Sequence, residues 1–266
     1  MPTPEELPTE ETPIEALRRI TRQHANWTQK SVAVISMQAD RVNKTTGALI
    51  PCTLPPDIRA QMEASGEAIK RECKRLEGLM LGQLVKLPIY TEFLAKVYGC
   101  GPVVASYLCA NIDIRHGGKD GHERRDGSKA DLRDPAATKL SHIIRYCGYA
   151  VDNETGRLER RRVGHKLGYN ADIRTRLFQW HSAMFKNSFK KNVERPFGTD
   201  SKYLELTRNT LHRLRTSPDF DAKKNLYKGR KGGKGITNSK ARCKAIHLLL
   251  EDLYIVWRAI EGLPVW

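Results

Sequence analysis

The chain contains no Cys-x-x-Cys pair. Its six cysteines, Cys52, Cys73, Cys100, Cys109, Cys147 and Cys243, are scattered. Neither a zinc ribbon nor a disulfide framework is signalled, and the cysteines read as reduced thiols, mostly buried. No apolar run is long enough to cross a bilayer. The first residues are acidic and proline-rich where a secretory signal would be basic and then apolar, so no membrane contact and a cytoplasmic location are expected. Internal repeats are missing, as is the alternation that would build a large sheet. The glycine-rich run at 228–235 lacks the Lys and Ser/Thr ending of a nucleotide-binding P-loop. Acidic side chains are in deficit, with 30 Asp and Glu against 46 Lys and Arg.

That deficit is the strongest compositional signal. A formal charge of +16 and a pI near 9.7 attract polyphosphate through counterion release whatever its sequence, so nucleic acid is the default partner. With 266 residues, 39% of them apolar, the chain can build a core without disulfides or metal. Its mean hydropathy of -0.55 points to a polar, elongated shape.

Residues 1–13 hold Pro2, Pro4, Pro8 and Pro13 among glutamates and read as a disordered acidic tail. From Ile14 to about Asn43 the pattern turns helical, with Leu17, Ile20, Trp27, Val34 and Ile35 near one face. A loop at Lys44 to Gly47 and the prolines Pro51, Pro55 and Pro56 follow. Asp57 to Leu87 then places Ile58, Met62, Ser65, Ile69, Cys73, Leu76, Met80, Gln83 and Leu87 at alternating spacings of four and three. Residues 14–87 are therefore expected to form a helical hairpin or coiled coil able to make a homo-oligomer. Pro88 opens a compact region, 88–266, of short helices and glycine turns. It closes in a periodic helix from about Asn238 to Glu261, with Ile246, Leu249, Leu250, Leu253, Ile255, Val256 and Ile260, stopped by Gly262 and Pro264. The expected fold is mostly α.

Within the compact region, Leu94 to Leu108 reads as a helix, a Gly99-Cys100-Gly101 turn and a second helix, a helix-hairpin-helix. Its glycines would let backbone N–H groups meet a DNA phosphate without reading a base. Arg157, Arg160, Arg161, Arg162, Lys166, Arg174 and Arg176 follow as a dense basic stretch suited to phosphate clamps or to a solvated face. Residues 223–244 carry no acid, and Lys228, Arg230, Lys231 and Lys234 sit there among glycines. Trp180, Tyr203 and Tyr227 are aromatics that serve either a core or base stacking. The loop bearing His116, Asp120, His122, Asp126, Asp131 and Asp134 meets no standard metal-ligand spacing, so no metal is assigned.

The hairpin, then Leu140-Ser141-His142-Ile143-Ile144-Arg145-Tyr146-Cys147-Gly148-Tyr149, then Gly156-Arg157 through Gly164-His165-Lys166-Leu167-Gly168-Tyr169-Asn170 to Ile173-Arg174-Thr175-Arg176-Leu177 occur in a telling order. That order resembles the C-terminal domain of the bridge-RNA-guided DEDD insertion-sequence transposases. There a Gly-Ile-Gly-Pro-like hairpin precedes a helix ending Leu-x-x-Tyr-x-Gly-Leu, a glycine-bearing loop and an Ile-Ser-Lys-x-Gly-Asn-x-x-Leu-Arg stretch. Ser239-Lys240-Ala241-Arg242 onward into Leu253-Tyr254 is similar to that family's basic last helix. With the coiled coil included, the likeness spans residues 14–262.

The resemblance implies a recombinase with a RuvC-like domain of four metal-binding acids, a coiled-coil linker and a domain bearing a nucleophilic serine. The acids have no matching positions here, so Mg²⁺ would enter through a separate RuvC-like partner. At the serine position, alignment on Gly156 and Lys166 places Glu154 and Thr155. The Thr155 hydroxyl would need a base or metal to attack a phosphodiester, and the same residues also read as a turn. The expected function is DNA binding in transposition or recombination as a split, accessory or degenerate form, with a guide-type structured RNA as a further partner. The alternatives are a stand-alone helix-hairpin-helix DNA-repair module and an RNA-binding structural protein.

Overall fold

A computed structural model describes residues 11–38, 41–42, 49–50, 54–114, 139–151, 158, 168–188, 202–217 and 234–265. The protein is mostly helical and divides into two compact units, Met1–Lys86 and Leu87–Trp266.

The first unit holds α1 (Pro13–Gln38) and α2 (Pro56–Leu84), with the two-residue strands β1 (Arg41–Val42) and β2 (Leu49–Ile50) between them. Of the tail expected over 1–13, residues 1–10 lie outside the described residues, and its end caps α1. The Thr12 hydroxyl accepts from the Glu15 N–H at 3.3 Å and the Glu15 carboxylate accepts from the Thr12 N–H at 2.9 Å. This reciprocal capping box satisfies two end groups of the helix, with Pro13 in its first turn. The far end of α1 falls at Gln38, short of the expected Asn43, and Arg41 and Val42 of the expected helix instead pair antiparallel with Ile50 and Leu49 of the expected loop.

Two contacts set the direction of the helix pair. His24 lies 3.6 Å from Glu77, and a Cβ on Gly66 would sit 3.8 Å from Val34. Moving forward along α1 means moving backward along α2, so the pair is antiparallel. Ala16, Leu17 and Ile20 are buried on α1, and Ile69, Leu76, Met80 and Leu84 on α2. Leu84 takes the place expected for Gln83. The seam is open at its other end, where Ile58 is exposed and Met62 half-buried.

The second unit contains α3 (Pro88–Glu92), a 3₁₀ turn (Leu94–Lys96), α4 (Pro102–Asn111), α5 (Leu140–Tyr146), α6 (Ala171–Asn187), α7 (Lys202–Thr216) and α8 (Lys234–Ile260). α8 is its spine, packing on α3, α5, α6 and α7. Ala241, Ala245, Ile246, Leu249, Leu250, Leu253, Tyr254 and Trp257 are buried along it, whereas Ile255 is exposed. α8 begins at Lys234, inside the stretch expected to be a basic loop. Its other end and that of α5 close alike. Gly148 (φ +76°) and Gly262 (φ +66°) take the left-handed conformation, and the next residue reaches back, Tyr149 N–H to Ile144 O at 3.0 Å and Leu263 N–H to Arg258 O at 2.8 Å. Both are Schellman ends.

α7 and α8 are antiparallel. The Tyr203 hydroxyl donates to Asp252 at 2.6 Å near one end, and Arg215 donates to Asn238 at 3.0 Å near the other. Between α6 and α7, Trp180 meets Tyr203 edge to face at 5.6 Å.

Candidate nucleic-acid interface

The glycine hairpin differs from its expected form. The segment from Leu94 makes a three-residue 3₁₀ turn instead of a helix, after the short α3 has ended at Glu92. Two of the amides expected to face a phosphate are engaged inside the turn: Cys100 N–H donates to Val97 O at 3.0 Å and Gly101 N–H to Gly99 O at 3.1 Å. Gly99 (φ +80°) lies against α6, where an added Cβ would be 3.5 Å from the Met184 Cβ and 3.7 Å from the Trp180 ring. The Trp180 indole donates to Tyr98 O at 3.1 Å and pins the turn to α6. Gly99 thus serves a positive φ and a close approach, and Gly101 precedes the first residue of α4.

Arg174 and Arg176 stand about 200° apart around α6, so one helix sends them to different places. Arg174 lies over the Tyr169 ring at 4.6 Å, and the Tyr149 hydroxyl donates to its carbonyl at 3.3 Å. Arg176 lies over Tyr107 of α4 at 4.3 Å and donates to that hydroxyl at 3.1 Å and to Gln179 at 3.0 Å. Thr155, Arg157, Arg160, Arg161, Arg162, Lys166, Lys228, Arg230, Lys231 and Tyr227 fall outside the described residues, as do the polar loop from His116 to Asp134 and Cys52. For Lys234 only the backbone is described.

The structure brings forward a basic surface that the residue-by-residue reading missed. On α7, Arg208, His212, Arg213 and Arg215 are exposed, and no acid follows Glu205 within the helix. On α8, Lys240 and Lys244 are exposed and no acid precedes Glu251. The antiparallel pairing sets these two acid-free segments side by side, while Glu205, Glu251 and Asp252 gather at the opposite end with Lys202, which pairs with Asp252 at 3.0 Å. The signal was present in the sequence as one-sided charge in each helix, but only the pairing unites the two.

α6 adds Arg174 to this end through α8. Arg242 lies 4.1 Å over the Phe178 ring, and both Arg242 and Arg174 favour the thiolate of nearby Cys243 against the burial that raises its pKa. His181 lies behind them, 6% exposed, its Nε2 3.1 Å from the Thr207 hydroxyl. That hydroxyl gives its proton to Tyr203 O at 2.8 Å, so the His181 nitrogen is the donor of the pair. Burial first, and the Arg242 charge second, lower the His181 pKa to about 4.

The three fully buried cysteines do not resemble reactive sites. Cys100, Cys109 and Cys147 are buried, and burial pushes the Cys100 thiol up to about 12 and the other two upward as well. Trp180 and Tyr203 are 1% and 0% exposed, which makes them core aromatics. Among the described residues, no group of three or more His, Cys, Asp or Glu could hold a metal, and no helix is long and apolar enough to cross a membrane. No family model matches the chain, and no curated protein matches it significantly, so the likeness to the transposases rests on the ordered motifs alone.

Proposed function

We propose that this protein binds nucleic acid, DNA foremost, through the acid-free end of the α7 and α8 pair together with Arg174 of α6, in a transposition or recombination setting. The observation that supports it best is the juxtaposition of Arg208 and Arg215, which share one face of α7, with Lys240 and Lys244 on the neighbouring antiparallel helix. Unopposed cations on a rigid surface gain from phosphate by releasing condensed counterions, and the gain is independent of base sequence.

The setting comes from the resemblance, as does the division of labour. The chain supplies DNA contacts and, in a guided system, contacts to a structured RNA, while a RuvC-like partner holding Mg²⁺ supplies strand cleavage. The uncharged run Ser31–Gln38 of α1 leaves Val32, Ile35 and Met37 exposed at 58%, 57% and 57%, which favours self-association through the helix pair.

The test is binding of the purified chain to labelled duplex DNA and to a structured RNA, with Mg²⁺ present and the products run on a denaturing gel. Duplex binding that weakens steeply with salt, without strand cleavage, is the expected result. A marked preference for the RNA would turn the reading to an RNA-binding structural protein, and binding to neither would overturn it. Cleavage abolished by Thr155→Ala would overturn the division of labour.

A further inference from the structure

Phe178 parts company with the core stripe of its helix. Ile173, Leu177, Trp180 and Met184 of α6 are buried, but Phe178, about 100° further round from Leu177, is 46% exposed. The ring lies in a shallow, open groove of about 450 Å³ along the exposed face of α6, where Gln179, Ser182, Ala183, Lys186 and Asn187 are the other lining residues among those described, none of them acidic. Arg242 of α8 holds the ring, its guanidinium carbon 4.1 Å from the centroid. Gln179 is held too, since its side-chain oxygen accepts from Arg176 at 3.0 Å, and its NH₂ remains as a donor.

We infer that this groove is a stacking site for unpaired nucleobases, with Phe178 as the platform and Arg242 and Lys186 as cations for the flanking phosphates. The inference rests on the nucleic-acid reading and narrows it to single strands at this position. An aromatic face is a sequence-tolerant partner for any base, and the guanidinium held over one face of the ring leaves the other face for the base and adds charge. The amide and hydroxyl groups along the groove suit the polar edges that an unpaired base presents. Paired bases stack on one another within a duplex and offer no face to a lone side ring, so the phosphate surface of α7 and α8 and the Phe178 groove divide the work.

The experiment measures affinity of the full chain for oligothymidylate, oligouridylate and a duplex, comparing wild type with Phe178→Ala, Phe178→Leu and Phe178→Trp, and confirming the fold of each by circular dichroism. Leucine keeps apolar volume but cannot stack. Both Phe178→Ala and Phe178→Leu are expected to lose single-strand affinity on the order of ten-fold, with duplex affinity unchanged and Phe178→Trp close to wild type. A loss confined to oligothymidylate or to oligouridylate would assign the site to DNA or to RNA within the same inference. Wild-type affinity in a folded Phe178→Leu, or equal losses on single strand and duplex, would overturn it. If the wild type binds the duplex but neither single strand, this inference alone fails; if it binds none of the three, the nucleic-acid reading fails with it.

Discussion

Gly148 shows how closely one residue can be constrained. Its φ of +76° already disfavours any side chain, and a Cβ would come within 2.7 Å of the Tyr169 ring and 2.9 Å of Arg174. Gly262 has a similar φ of +66° but nothing within 4 Å. Gly148→Ala should therefore cost about 2–4 kcal/mol in a denaturant titration, conformational strain plus collision, and Gly262→Ala about 1 kcal/mol. Equal losses would mean that Tyr169 and Arg174 yield without resistance. His181 supplies a second prediction at this scale. In the fold its pKa is lowered from 6.5 to about 4, so the unfolded chain takes up a proton first as pH falls. The stability due to neutral His181 is complete above pH 6.5 and is lost towards pH 4, by roughly 3 kcal/mol in all. Urea midpoints across that window should fall less steeply for His181→Gln, which lacks the titrating ring.

Among the elements, α1 and α2 divide into a packed end and an open one. Leu76 is fully buried, and Leu76→Ala should destabilise the protein by about 2–5 kcal/mol. Ile35 is 57% exposed, so Ile35→Lys should leave stability within about 0.5 kcal/mol while reducing self-association in sedimentation equilibrium. An unchanged oligomeric state would place any self-contact elsewhere. The helices themselves were legible because their buried stripes recur at helical spacing: Ile69, Leu76 and Met80 in α2, and Leu249, Leu250 and Leu253 in α8. Ends and short elements were less so. The Thr12 to Glu15 capping box was written in the sequence but obscured by the prolines around it. At Phe93 an expected helix gives way to a 3₁₀ turn, and the glycine turn beyond it is fastened by the indole of Trp180 to Tyr98 O, a tertiary contact that no local pattern encodes. For the site, Gly99 and Gly101 announced a turn but not that its amides would be engaged within it. Phe178 and Arg242 lie one step off their core stripes, and their meeting depends on how α6 packs on α8.

Across the molecule, the positive charge is organised as well as abundant. In the second unit the α7 and α8 pair keeps its acids at one end, where Lys202 pairs with Asp252, and leaves the other end, near Arg215 and Lys240, with cations alone. The most direct test compares the salt dependence of duplex binding for wild type and for the double variant Arg208→Gln, Arg215→Gln. Each lost phosphate contact should flatten the plot of log affinity against log salt by about 0.9. The account predicts a slope shallower by about 2 with the fold intact, and a wild-type slope in the double variant would contradict it.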